Sequence, residues 1–459
     1  MKKKANLDIP DKPSTAFVHA LSHDGRGIAT LQNKTTFIAG ALPNETVTYQ
    51  LTRKRGTYNE AEVADIITPS DERLVPPCQH FGLCGGCSLQ HMSINAQLQM
   101  KQQALLEQLK HFGQVTPNAM MPPLSAASTG YRRKARLGVK FVIKKDKMLV
   151  GFREKSSRYL ADIESCIVLH PKVGTQLIGL EQLVLSLETY QQIPQIEMAM
   201  GDETTALVFR HLTPLPETDI QKLISFGKTQ GFAIYLEPNP PQAVHQIWPQ
   251  DQPERLTYTL PDFSLEFLFH PLDFTQINLE MNRLMVQLAI TQLALTPLDT
   301  VLDLFCGIGN FTLPIARQAR HVTGIEGSME MVERAQANAA HNQISNTRFY
   351  AANLFDAKPA ENDWMRQQNY DKILLDPPRA GAKEILPFLN TLGAQKIVYI
   401  SCNPATLARD AGELVNQFHY QLTRVGIINM FPHTSHIEAM AVFDKHRESP
   451  HEARRTTHC

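Results

Sequence analysis

The sequence predicts an α/β chain whose C-terminal part is a doubly wound domain, and three observations lead there. From Thr296-Pro297 onward, apolar strand-like runs alternate with amphipathic helical ones ("TVLDLFCGIGNFTLPIARQA", "HVTGIEGSMEMVERAQANAAHN", "YDKILLDPPRAG", "KIVYISCNPATLARDAGELVNQF"), the pattern of a mainly parallel sheet. Residues 15–68 instead hold short alternating runs broken by Asp24-Gly25, Asn33-Lys34 and Pro43-Asn44, the spacing of a small OB-like β-barrel. Residues 131–265 mix strand and helix patterns with no phosphate loop. At 459 residues the chain exceeds a single core, and the expected units are 10–70 (barrel), 75–265 (central α+β domain) and 270–445 (doubly wound domain).

Met1-Lys2-Lys3-Lys4 runs into Asn6, Asp8 and Pro10 with no apolar segment behind it, so no signal peptide is expected. Even the apolar run 284–295 is broken by Gln287 and Gln292, which argues against a membrane span. A cytoplasmic protein is expected, and there its 7 cysteines point to metal or catalysis rather than to structural disulfides. With 45 basic and 45 acidic side chains the average charge says nothing of nucleic acid. Pro76-Pro77 reads as a linker. The periodic stretch 93–112, with Ser93 as N-cap and Gly113 as stop, predicts a helix that packs on the C-terminal domain.

In that domain an apolar strand, 301–305, leads into a turn carrying Gly307 and Gly309 and then into a helix. Glycines there let the backbone approach a ligand at a helix N-terminus. The second strand ends at Glu326, 17 residues past Gly309, where a carboxylate can accept hydrogen bonds from both hydroxyls of a ribose. Asp303 joins this set, which lacks the third glycine of the dinucleotide pattern; the short form resembles S-adenosylmethionine-dependent methyltransferases. Asn353 would lie near the adenine or ribose, and Asp376-Pro377-Pro378-Arg379 ends the fourth strand, where such sheets build sites.

Cys402 in "VYISCNP" ends the next strand. Strand position alone favours a buried hydrophobe. The strand end faces the ligand crevice, however, and a helix start favours the attacking thiolate. Thiolate addition to carbon 6 of a uracil would make carbon 5 nucleophilic towards a methyl donor. A base must then remove the carbon 5 proton, and Glu438 in "FPHTSHIEAMAVF" is the carboxylate on offer.

"LDLFCGIGNF", "LLDPPR", "SCNPATLARD" and "MFPHTSHIEAM" together resemble the RNA (uracil-5-)-methyltransferase family over nearly the whole chain. The resemblance implies a Rossmann-like fold, S-adenosylmethionine as cofactor, Cys402 as nucleophile and Glu438 as base. It also implies a pocket lined by Gln276 of "DFTQIN", Phe305, Asn310, Glu326, Asn353 and Asp376. Some relatives have Asp-Pro-Ala-Arg where this chain has Asp-Pro-Pro-Arg, which leaves the Asp and Arg in place.

"PPCQHFGLCGGCSLQH" places Cys78, Cys84 and Cys87 in a glycine-rich loop, a metal-type spacing that leaves zinc and iron–sulfur both open. Cys166 is the natural fourth ligand, because Cys306 and Cys402 belong to the crevice and Cys459 to the polar tail. The pattern looks like the four-iron four-sulfur (4Fe-4S) site of the ribosomal RNA branch of the family.

Residues 130–158 hold 11 Lys or Arg against Asp146 and Glu154, interleaved with Tyr131, Phe141 and Phe152, which reads as a phosphate-tracking groove. The barrel, with Lys2-Lys3-Lys4 and Arg53-Lys54-Arg55, resembles a TRAM domain, an RNA-binding module. The expected activity is therefore methylation of carbon 5 of a uridine in 23S ribosomal RNA. A transfer RNA uridine methyltransferase with extra domains is the alternative enzyme, and a non-catalytic RNA-binding or redox-sensing iron–sulfur protein the alternative of another class. Cys402, Glu438 and Glu326 argue against the last.

Overall fold

The computed structural model describes residues 13–239, 243–356, 363–366 and 369–445; Lys2-Lys3-Lys4 and Cys459 lie outside the described residues. Strands Ser14–Phe17, Thr46–Lys54, Tyr58–Thr68, Lys34–Ala39, Gly27–Leu31 and Ala20–Leu21 form a six-stranded sheet in that spatial order. Alternate residues (Ala16, Val18, Ala29, Ile38, Val47, Tyr49, Ala61) turn inward to its small core, the period-two signature that made these runs legible as strands. A second six-stranded sheet follows, from His245–Trp248 at one edge to Lys147–Gly151 at the other. Helices Leu177–Ser186 and Glu217–Gln230 contribute Leu177, Leu180, Val184 and Leu223 to its core.

The third sheet has eight strands, ordered Thr347–Ala351, His321–Glu326, Thr300–Leu304, Lys372–Leu375, Lys396–Ser401, Glu438–Lys445, Tyr420–Ile428 and Ala119–Met120. The first five are mutually parallel. Their order reverses between Thr300–Leu304 and Lys372–Leu375, so a crevice opens beyond their carboxyl ends. Glu438–Lys445 runs antiparallel to both its neighbours. Its first residue therefore emerges at the edge where the parallel strands finish. One face of the sheet packs on helix Leu279–Leu293 and on the hairpin of Leu256–Leu260 and Leu265–Phe269.

The other face receives helix α1 (Ile94–Gln108) and helix Pro404–Asn416. Leu105 and Leu109 share one apolar cluster with Leu407, Ala408, Ala411 and Tyr399. Complete burial of two leucines contributes about 1.5–3 kcal/mol each. Ser93 caps α1 by accepting the Ala96 N–H at 3.1 Å. The end of the helix differs from the expectation. The chain tightens into a π-helical turn, Leu109–Gly113, and the left-handed residue is Gln114 (φ 53°) rather than Gly113. Gly113 is required for space instead, since a Cβ there would sit 2.4 Å from the carbonyl oxygen of Ala408.

The basic stretch also departs from the expected groove. Arg133 donates to the Gly201 carbonyl at 2.9 Å and pairs with Asp202, and Lys134 reaches the carbonyls of Pro271 and Asp273. Arg136 pairs with Glu197 and Lys147 with Asp162. Lys134 ties the central sheet to the segment after it and the other pairs lie within the central unit, while Lys140, Lys144, Arg153, Lys155 and Arg158 remain exposed. Charge counting along a sequence cannot separate the two uses. No helix among the described residues is long and apolar enough to cross a membrane.

Candidate active site

A cavity of about 570 Å³ lies at the carboxyl ends of the parallel strands. Each wall is the first turn after a strand: Phe305 and Gly307, Glu326 and Gly327, Asn353, Asp376 to Arg379, and Cys402, with Glu438 entering from the antiparallel strand. Phe305 has φ 66° and Gly307 φ 54°. A Cβ on Gly307 would meet nothing, so the glycine serves its left-handed backbone and not packing. The Glu326 carboxylate accepts the Gly307 N–H at 3.1 Å and the Gly327 N–H at 2.7 Å. It is thereby fixed facing the cavity at the end of its strand.

Asn403 turns the chain from Cys402 into the next helix. Its side chain accepts the Ala405 N–H at 3.1 Å and donates to the Arg379 carbonyl at 2.9 Å, tying the Asp-Pro-Pro-Arg loop to the cysteine turn. Asp410 holds the same loop from below, accepting the Ala382 N–H and the Tyr399 hydroxyl at 2.8 and 2.7 Å.

Burial and charge set the protonation states. The Cys402 thiol is pushed up to about 11, by burial first and then by the carboxylates of Glu438 and Asp376. The helix start was expected to favour the thiolate; here burial and two acidic neighbours outweigh it. Burial raises Asp376 to about 7. Glu438, 4 % exposed, is held well above the usual carboxylate range by burial and then by Asp376. Carboxyls raised towards neutrality are well matched as proton acceptors.

Of the expected pocket residues, Gln276, Phe305, Glu326, Asn353, Asp376, Cys402 and Glu438 line this one space. Asn310 does not. Its carboxamide is paired reciprocally with Asn282 (2.9 and 3.0 Å) and accepts the Tyr258 hydroxyl at 2.9 Å. It therefore buttresses the glycine turn from behind. Phe274, Phe431 and His436 line the cavity without having been singled out, although each sits inside a stretch already quoted, two residues from Gln276 or a few from Glu438.

Cys78, Cys84, Cys87 and Cys166 line a second cavity of about 280 Å³, which shares His436 with the first. All four are free thiols. Burial, and then mutual repulsion of their charges, raises Cys84, Cys166 and Cys87, the last to about 12. Among the described residues no three Cys, His, Asp or Glu side chains converge on a single-ion site. The loop and the Cys166 turn are joined where the Glu164 N–H donates to His80 Nε2 at 3.1 Å, and Gly85 donates to the Arg153 carbonyl at 2.9 Å.

The family model described as tRNA (Uracil-5-)-methyltransferase matches residues 251–446. The chain is 50% identical over 441 residues to a Hahella chejuensis protein named 23S rRNA (uracil(1939)-C(5))-methyltransferase RlmD, covering 95% of this chain and 98% of that one. A protein of the same name from Alcanivorax borkumensis is 50% identical over 437 residues, again covering 95% and 98%. Among solved structures, Pyrococcus abyssi tRNA (uracil-54, C5)-methyltransferase in complex with S-adenosyl-L-homocysteine matches with a TM-score of 0.71. The match has 22% identity and covers 94% of this chain and 100% of that one, a likeness of fold.

Proposed function

Because the chain belongs to the RNA (uracil-5-)-methyltransferase family, we propose that it methylates carbon 5 of a uridine in 23S ribosomal RNA, the position being the one its relatives' names carry, 1939. The observation that carries the chemistry is the meeting of Cys402, Glu438 and Asp376 in one cavity with Glu326 and the Gly307 turn. S-adenosylmethionine, when bound, supplies an electrophilic methyl group on a positively charged sulfur. Glu326 and the turn before it are the groups suited to its ribose, with Asn353 and Phe305 beside them. A positive charge in the cavity favours the ionised forms of Cys402, Asp376 and Glu438.

Cys402, as the thiolate, adds its sulfur to carbon 6 of the uracil; the electron pair moves to carbon 5, which takes the methyl group. Glu438 then removes the proton left on carbon 5, the carbon 6–sulfur bond breaks, and the Cys402 thiolate is regenerated. Atoms balance: one methyl is gained by RNA and one proton is released.

The cysteine cavity fits a 4Fe-4S cluster held by Cys78, Cys84, Cys87 and Cys166. Its support is four thiols around a space larger than one ion fills. We read the N-terminal sheet as a TRAM-like RNA-binding unit (10–70), the middle as the iron–sulfur unit (75–265) and 270–445 as the catalytic unit. With ribosomal RNA as substrate the enzyme works in the cytoplasm.

Transfer of label from methyl-labelled cofactor to a 23S fragment, with the product mapped as 5-methyluridine, tests the reading. Label on transfer RNA alone, or none, overturns it. Glu326→Gln should weaken S-adenosylmethionine binding roughly 10- to 100-fold, the worth of hydrogen bonds to a charged acceptor. Its kcat at saturating cofactor should change far less. Calorimetry giving the parent's Kd would remove Glu326 from the ribose.

A further inference from the structure

The segment that carries Phe431 and His436 into the cavity, and leads into Glu438 at the first residue of its strand, is bonded from outside the sheet. Three consecutive carbonyls are bonded by donors far away in sequence: Phe431 by Lys101 Nζ at 3.0 Å, Pro432 by the Tyr131 hydroxyl at 3.2 Å, and His433 by the N–H groups of Ser88 and Leu89 at 2.9 and 3.0 Å. His433 has φ 65°, a left-handed conformation that disfavours a side chain. Its N–H donates to Gln97 Oε1 at 2.9 Å, and Gln97 Nε2 is in turn fixed by the carbonyls of Leu89 and Met92 at 3.0 and 2.9 Å.

Lys101 is the costly member. It is 1 % exposed, and its partners are neutral oxygens, Phe431 O and Asn429 Oδ1 at 2.9 Å. Burial drags its pKa down to about 7. An apolar chain of the same length would fill the space without desolvating an amine, yet would take the amine from Asn429 Oδ1 and leave the Phe431 carbonyl to the Thr434 hydroxyl at 3.0 Å, three residues on. The energetic return of this lysine thus lies in where it sets residues 429–431. Phe431 in turn packs against the His436 ring at 5.4 Å between centroids, and Glu438 follows two residues on.

From this we infer that Gln97 and Lys101, on α1, are positioning residues for methyl transfer: they hold the strained His433 turn so that Glu438 meets the carbon 5 proton. The inference rests on the covalent reading above. A displacement of about 1 Å at a reacting group can cost roughly 10²-fold in rate. Elimination, the step given to Glu438, should therefore suffer most.

The test uses the full-length protein with labelled cofactor and a 23S fragment. Lys101→Met and Gln97→Met should each accumulate methylated protein–RNA adduct on denaturing gels, roughly tenfold above the parent, with KM for cofactor unchanged. A merely destabilised protein would have fewer active molecules and no extra adduct. Asn429→Asp, which keeps an acceptor for Lys101, should turn over without excess adduct. Folded methionine variants with the parent's adduct level overturn the inference. So does a failure of both to fold, which would make the pair plain scaffold. Glu438→Gln serves as control: if it traps no adduct, the reading of Glu438 as the base has failed and not the positioning one.

Discussion

Glu438→Gln, mixed with labelled cofactor and RNA, should stop after methyl transfer and accumulate a covalent adduct that survives denaturation. The amide keeps the size of the side chain, in a pocket that leaves it 4 % exposed, but cannot accept the carbon 5 proton. Loss of a general base costs roughly 10²–10⁴-fold in turnover. Cys402→Ala cannot form the carbon 6 bond, so the single mutant and the Cys402→Ala/Glu438→Gln double mutant should both be inactive and free of adduct. Adduct in the double mutant would acquit Cys402. Full turnover by Glu438→Gln would pass the proton to another base, and Asp376, raised to about 7 in the same cavity, is next in line.

The second large effect concerns the cysteines. Protein purified without oxygen should be brown, with iron and sulfide in roughly equal amounts. Cys166→Ser removes one of four thiols lining the second cavity and should abolish colour, iron and sulfide together. Cys459→Ser should leave all three. Because such sites couple metal binding to folding, Cys166→Ser should also melt earlier than the parent. Stoichiometric zinc without sulfide would replace the cluster by a single ion.

What could be read in advance was local. The run 301–305, its glycine turn and Glu326 obey the rule that a strand end followed by a helix start makes a site, and Phe305, Gly307 and Glu326 line one cavity. Cys402 and Glu438 came from chemical need as much as from pattern. What escaped was set by surroundings. The thiolate expected at a helix start lost to burial and to two carboxylates, and neither is visible along one strand. Asn310 sits beside the glycine turn in sequence yet points to Asn282 and Tyr258. Arg133 and Lys134 looked like free charge until their partners, Asp202 and the carbonyls of Pro271 and Asp273, were in view. Lys101 was not singled out in the periodic stretch 93–112, and its burial depends on residues far along the chain.

That last dependence governs the order in which the molecule can be made. Lys101 and Asn429 are 328 positions apart, and Gln97 and His433 are 336 apart. On a ribosome, α1 emerges early with Leu105 and Leu109 lacking the helix Pro404–Asn416 that will cover them. Closing so long a loop costs on the order of 5 kcal/mol in chain entropy by the logarithmic rule, and such distant pairing slows folding. The N-terminal and central sheets can pair on their own residues, but the helix between them must wait for nearly the whole chain. Synthesis runs from end to end, whereas assembly finishes by returning to a helix made close to the beginning.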